Sequence, residues 1–137
     1  MHFIDADQLA AAANADGEFQ LHARLWRARV SLRAGDDVAV ALTIEAGRVS
    51  AAADAAVPAE PADVRISAPA ADWDALLAPV PRPFFHDLRA ACAHHGFRLE
   101  GDRLHTAAFY PAIRRLVDLM RDVRQGTAAH DNPGGAR

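Results

Sequence analysis

Apolar side chains return at every second position through most of the stretch from Phe19 to Ala51, and that period of two constrains the fold more than anything else in the chain. Phe19, Leu21, Ala23 and Leu25 share one face. The phase then slips by one, and Trp26, Ala28, Val30 and Leu32 share the next. Moving a strand by one residue turns every side chain to the other face, so a slip inside an alternating run predicts a bulge or a strand boundary near Leu25-Trp26. Gly35-Asp36 makes a turn, and Val38, Val40, Leu42 and Ile44 then alternate strictly. A second turn at Gly47 leads into a third run that opens with Val49 and Ala51. Strands joined by such short turns pair antiparallel, which predicts a meander with one apolar face.

The helical signals lie around this meander. Asp5 or Asp7 can cap a short alanine-filled helix that Asn14 to Gly17 stop. After a proline-bearing connection over 55–62, Val64 and Ile66 mark a fourth strand. A helix follows, with Ser67 near its cap, Pro69 in its first turn, and Trp73, Leu76 and Leu77 on one face. Pro79, Pro81 and Pro83 end it. Phe84, Leu88, Ala91 (or Cys92) and His95 then recur at helical spacing, and Gly96 stands where a helix-ending glycine belongs. Phe97 and Leu99 point inward from a short fifth strand. The last helix is expected from about Thr106 to Arg124, with an apolar stripe of Phe109, Ile113, Leu116, Val117 and Met120. Strands in a run, rather than alternating with helices, give an α+β class: a five-stranded, mostly antiparallel sheet with helices packed on one face. The 137 residues suit one domain over 1–125, with a disordered tail over 126–137.

Composition excludes several function classes. Hydrophobic residues make up 51% of the chain, but much of that is alanine, and the basic residues are all arginine, as in a GC-rich coding sequence. A net charge of −3 gives no electrostatic footprint for DNA or RNA, so no nucleic-acid partner is expected. No apolar run of about 18 residues is present to serve as an integral membrane segment. "MHFIDADQ" lacks the pattern of a secretory signal, so the expected compartment is cytoplasmic.

The chemical constellations are sparse. His94 and His95 lie about 100° apart on a helix and cannot share one metal, and no zinc spacing occurs, so no metal or cofactor is expected. Near a helix end, such histidines suit the last free carbonyls. Cys92 reads as a small buried hydrophobe. Asp72 and Asp74 favour the start of a helix. If the chain is an enzyme, His86, Asp87 and His94 are the groups placed to move protons. The large apolar side chains have two readings: they fill a core, or some of them line a cavity.

From about Glu18 to Val123 the chain resembles the sterol carrier protein 2-like (SCP2-like) lipid-transfer family. The resemblance lies in the strand meander, then "DVRISAPAADWDALLAP", then "HGFRLEGD", then a long amphipathic helix. Asp72-Trp73 is similar to the family's aspartate and bulky residue on the helix after a strand. Gly96, Leu99, Gly101 and Asp102 are similar to its glycine-strand-glycine-aspartate segment. The stretch "PVPRPFFHDLRAACAHHG" departs from it by an additional aromatic, histidine-bearing helix. The resemblance implies a five-stranded α+β fold with an apolar tunnel for sterols, acyl chains or similar lipids, and no catalytic residues of its own.

The expected function is therefore non-enzymatic binding or carriage of a lipid or other apolar small molecule between sheet and helices. Trp73, Leu77, Phe84, Phe85, Leu88, Phe97, Phe109, Tyr110, Ile113, Val117 and Met120 are the expected lining. His86, Arg89, His94 and Tyr110 stand at the mouth to orient a carboxylate, hydroxyl or keto group. The alternative is a small cyclase or isomerase of secondary metabolism using His86 or His94 with Asp87. A homodimer or a partner enzyme also fits the chain.

Overall fold

A computed structural model describes residues 4–35, 40–53, 62–81, 83–85 and 87–130. Its element order is α1 (Ala6–Ala15), α2 (Gly17–Ala23), β1 (Arg27–Ala34), β2 (Val40–Glu45), β3 (Arg48–Ala53), β4 (Val64–Ala68), α3 (Ala70–Leu76), α4 (Leu88–His94), β5 (Arg98–Gly101), α5 (Arg103–Ala108) and α6 (Tyr110–His130). Val38, most of the 55–62 connection and His86 lie outside the described residues.

The strands form one sheet in the order β3-β2-β1-β4-β5. All neighbours run antiparallel except β1 and β4, which are parallel. The alternation fixes the register. Leu32 lies opposite Val40 on one side and Ile66 on the other, and Val30 lies between Leu42 and Val64. All six are essentially without solvent contact, whereas Arg27, Arg29, Thr43 and Arg65 on the opposite face are exposed. One side is covered by helices and the other is open, as the period of two requires.

Asn14 ties α1 to the edge strand β3. Its amide donates to the Val49 carbonyl (2.9 Å) and accepts from the Val49 N–H (2.8 Å), so it partners an edge strand's backbone as another strand would. On the opposite edge, Gly101 (φ +133°) lies so close to the Asp63 carbonyl that no side chain fits there.

Several local expectations are corrected. Residues 18–25 do not form a strand: Asp16 caps α2 by accepting from Phe19 N (2.8 Å), and Phe19 and Ala23, four apart, are the buried pair. Leu21 and Leu25, which complete the alternating set, are 60% and 79% exposed. An alternating run thus also contained an i,i+4 face, and the capping aspartate selected the helix. The phase slip at Leu25-Trp26 is the passage from α2 into β1.

Ser67 belongs to β4 rather than to a cap, and Pro69 is the N-cap of α3. The helix expected from Phe84 begins at Leu88, because Asp87 is extended (φ −142°) and caps it by accepting from Arg89 N (3.2 Å). Gly96 does not close that helix in a left-handed conformation. It is required by close approach, since a Cβ would meet the Asp72 carboxylate and Pro69. The final helical region is divided. Asp102 caps the short α5, and α6 starts at Tyr110 and runs to His130.

Candidate functional site

Polar clamps hold the helices over the apolar face. The Arg121 guanidinium donates to the Leu76 carbonyl from Nε (3.1 Å) and Nη2 (2.7 Å), and the Gln125 amide donates to the Leu77 carbonyl (2.9 Å). Both meet carbonyls that the end of α3 would leave free. Arg124 adds an ion pair to Asp74 (2.8 Å). Trp73 in α3 donates its indole N–H to the Arg33 carbonyl (2.8 Å) and forms a T-shaped pair with Phe97 (4.9 Å between centroids). The Asp72 carboxylate accepts from Gly96 N (3.0 Å), which fixes the entry into β5.

A second set of clamps lies at α2 and α5. Arg115 in α6 forks onto Asp16 with Nε and Nη2 (2.9 and 2.8 Å), and Asp16 also caps α2. The Arg115 bonds hold the Asp16 carboxyl down at about 2. Trp26 stacks on Phe109 (5.2 Å) and donates its indole N–H to His105 Nδ1 (2.9 Å). Nδ1 is thereby the acceptor, so the ring proton sits on Nε2, 4.0 Å from Asp63.

The apolar residues expected to line a site are divided by this packing. Trp73, Leu77, Phe85, Leu88, Phe97, Ile113, Val117 and Met120 are buried within one hydrophobic cluster. Phe109 and Tyr110 pack against it half-buried. Phe84 stands apart at 49% exposed, with φ +68°, a conformation that is costly for a bulky side chain.

Residues 83–85 form a strap over the end of α4. Phe84 stacks on His94 (3.8 Å), Phe85 stacks on His95 (3.7 Å), and His95 Nε2 lies 3.3 Å from the Pro83 carbonyl. The adjacent histidines therefore anchor the strap, one ring each; they do not serve as simple helix-end donors. Beside the strap, Tyr110 donates its hydroxyl proton to Asp87 (2.6 Å) and accepts from Arg89 N (3.2 Å), while the Arg89 guanidinium lies 4.1 Å over the Tyr110 ring. Burial, reinforced by the bond to Asp87, pushes the phenol well above its usual range, so it is a hydrogen-bond donor at neutral pH and no base.

This arrangement gathers apolar side chains under the strap, beside the bonded group of Asp87, Tyr110 and Arg89. It does not assemble a proton-transfer pair among the described residues: Asp87 is engaged by Arg89 N and Tyr110, and the ring contact of His94 is Phe84. His86 lies outside the described residues. Burial raises the Cys92 thiol, in keeping with an inert side chain. No group of three or more metal-ligating side chains comes together among the described residues, and no described helix is long and apolar enough to cross a membrane.

Two pairings had no signal in the sequence. Asp16 and Arg115 are 99 positions apart, and Trp26 and His105 are 79 apart. Asp87-Tyr110 was half visible, since both residues were candidates but nothing linked them.

No family model matches the chain, and no curated protein is similar to it in sequence. Solved structures do match. A crystal structure of sterol carrier protein 2 superposes with a TM-score of 0.70 at 22% identity, covering 90% of this chain and 99% of that one. A conserved hypothetical protein of Thermus thermophilus, described as possibly a sterol carrier protein, gives 0.63 at 23% identity, covering 85% and 83%. The ubiquinone synthesis protein UbiJ-SCP2 gives 0.56 at 16% identity, covering 85% and 88%. The chain therefore has the SCP2-like α+β fold that "DVRISAPAADWDALLAP" and "HGFRLEGD" implied.

Proposed function

We propose that this chain is a non-enzymatic binding or carrier protein for a lipid or another apolar small molecule, taken up between the sheet and the helices. The observation that carries the reading is the likeness to sterol carrier protein 2 over nearly the full length of both chains. Two features support it further. The apolar side chains of α3, α4, β5 and α6 belong to one continuous cluster, and Phe84 of the strap stands half exposed over it, stacked on His94. Each methylene of an acyl chain moved from water into such an interior gains about 0.8 kcal/mol before ordering costs are subtracted. The strap is the segment that moves to admit it, and Arg89 and Tyr110 receive the polar head.

Native mass spectrometry of the purified protein, with thermal shifts across a panel of fatty acids and sterols, tests this. A co-purified apolar species or a saturable upward shift is expected. A protein that emerges bare and is shifted by no apolar compound would overturn the reading.

A further inference from the structure

One buried indole donates to a side chain that a proton would turn from acceptor into donor. Trp26 is without solvent contact, and its N–H is received by Nδ1 of His105 at 2.9 Å. An indole N–H only donates, so this bond exists only while Nδ1 carries no proton. On the far side of the same ring, Nε2 stands 4.0 Å from the Asp63 carboxylate. Asp63 is fixed at three points: its N–H donates to the Arg29 carbonyl (2.9 Å), its carboxylate accepts from Arg29 N (2.9 Å), and its carbonyl accepts from Asp102 N (3.0 Å). The anion is thus held in place, whereas His105 sits on α5, a helix of six residues with none buried. Among the described residues, no other carboxylate comes within ion-pair distance of the ring. The other charged groups of the surrounding chain are His22 and Arg24 just before Trp26, Arg27 and Arg29 of β1, Arg65 of β4, Glu100 of β5, Asp102 and Arg103 at the start of α5, and Arg114 and Arg115 of α6. Of these carboxylates, Asp102 caps α5 and Glu100 is exposed.

We propose that His105 is an acid-sensitive latch: on taking a second proton its ring leaves Trp26 for Asp63, and α5 with the start of α6 loosens. The proton enters at Nδ1, and the ring becomes a cation with two N–H donors. Two donors 2.9 Å apart cannot bond, so the ring draws back from the indole. Nε2–H meanwhile gains a full charge beside a fixed carboxylate, and a charge-assisted bond forms once the 4.0 Å gap closes by about 1 Å. The indole is then left buried with its bond unmade, which a packed interior relieves by moving. That movement passes to Phe109, whose ring is stacked on Trp26 at 5.2 Å and whose backbone joins α5 to α6. Trp73 provides an internal reference, because it donates to the Arg33 carbonyl, an acceptor that mild acid does not alter. The latch works without cargo and does not depend on the carrier reading.

Proton–nitrogen correlation NMR of the full chain, titrated between about pH 8 and pH 5, where imidazoles change charge, tests this. The Trp26 indole N–H should move upfield in step with the His105 ring signals, while the Trp73 indole stays in place. Amide exchange in α5 and the first turn of α6, corrected for the intrinsic effect of pH, should quicken about tenfold at the acid end, as one unmade buried hydrogen bond implies. His105→Gln keeps an acceptor for Trp26 without a titrating ring, and should hold that signal fixed. Asp63→Asn keeps an acceptor for Arg29 N and should move the change to lower pH, since the charge that receives the ring is gone. His22→Gln removes the histidine nearest to Trp26 in sequence, which lies 3.9 Å from Glu18, and should leave the response intact. Circular dichroism checks that each variant is folded; if His105→Gln is not, the two indoles of the wild-type protein decide. A His105 ring that stays neutral throughout, a Trp26 signal that stays still while the ring titrates, or both indoles moving together would overturn the proposal. So would a response that persists in His105→Gln, an unmoved midpoint in Asp63→Asn, or a response lost in His22→Gln.

Discussion

The central strands β1, β2 and β4 on one hand, and the stretch from Pro83 to His95 on the other, are both rich in large apolar side chains but are held by different physics. In the strands, the large inward residues are held within paired strands and are almost without solvent contact, as with Leu32 between Val40 and Ile66. In the strap, Phe84 is half exposed and stacks on His94, while Phe85 stacks on His95 and is buried in the hydrophobic cluster. The first region cannot move one side chain without disturbing a sheet. The second can release Phe84 by parting a single stack.

That contrast sets the largest expected effect. Trp73→Ala empties a fully buried site and leaves the Arg33 carbonyl without its indole donor, so it should cost about 4 kcal/mol in urea denaturation. A loss below about 2 kcal/mol would show that the helical layer over the sheet is looser than its burial implies.

Next comes Asp16→Asn, which keeps a cap for Phe19 N but removes the charge that Arg115 grips. The folded carboxyl titrates at about 2, below the ordinary unfolded value, so its contribution is complete above pH ~4, is lost as pH falls toward 2, and amounts to about 2 kcal/mol. The variant should be weaker by that amount at pH 7, and its stability should lack that acid limb. An unchanged slope between pH 4 and 2 would mean that the fork contributes nothing.

The same contrast explains what was legible in the sequence. Val40, Leu42, Ile44, Val64 and Ile66 declared their strands because burial on one face imposes a period of two, and the helix-bearing order then gave the α+β class. Residues 18–25 misled because Phe19, Leu21, Ala23 and Leu25 satisfy both a strand's alternation and a helix's i,i+4 spacing. Only the side chain of Asp16, bonded to a distant arginine as well as to Phe19 N, decides between them. The site was legible as an inventory of apolar and polar residues but not as a geometry. Which of Phe84 and Phe85 turns inward depends on one positive φ, and no periodicity encodes that.

A smaller effect is expected at the polar edge of the strap. Tyr110→Phe removes a 2.6 Å hydrogen bond to Asp87 while keeping the ring under Arg89, so it should cost about 1.5 kcal/mol. Tightened amide-exchange protection in α4, in place of loosening, would show that the bond strains the cap it is meant to steady.

Phe84→Gly should have the smallest effect on stability and the most direct bearing on the comparison. The substitution gives up a half-exposed stack on His94 but relieves a left-handed backbone that costs a phenylalanine about 1 kcal/mol, so the two should nearly cancel in a denaturation midpoint. Under the proposed carrier function, exchange of a fluorescent fatty acid should nonetheless speed up, because the outer ring of the strap is gone. If the variant instead loses as much stability as Trp73→Ala, the strap is part of the rigid core, and entry must be sought elsewhere on the helical side. If stability holds and exchange is unchanged, Phe84 is an ornament of the surface, and Phe85 with Leu88 must supply the moving part.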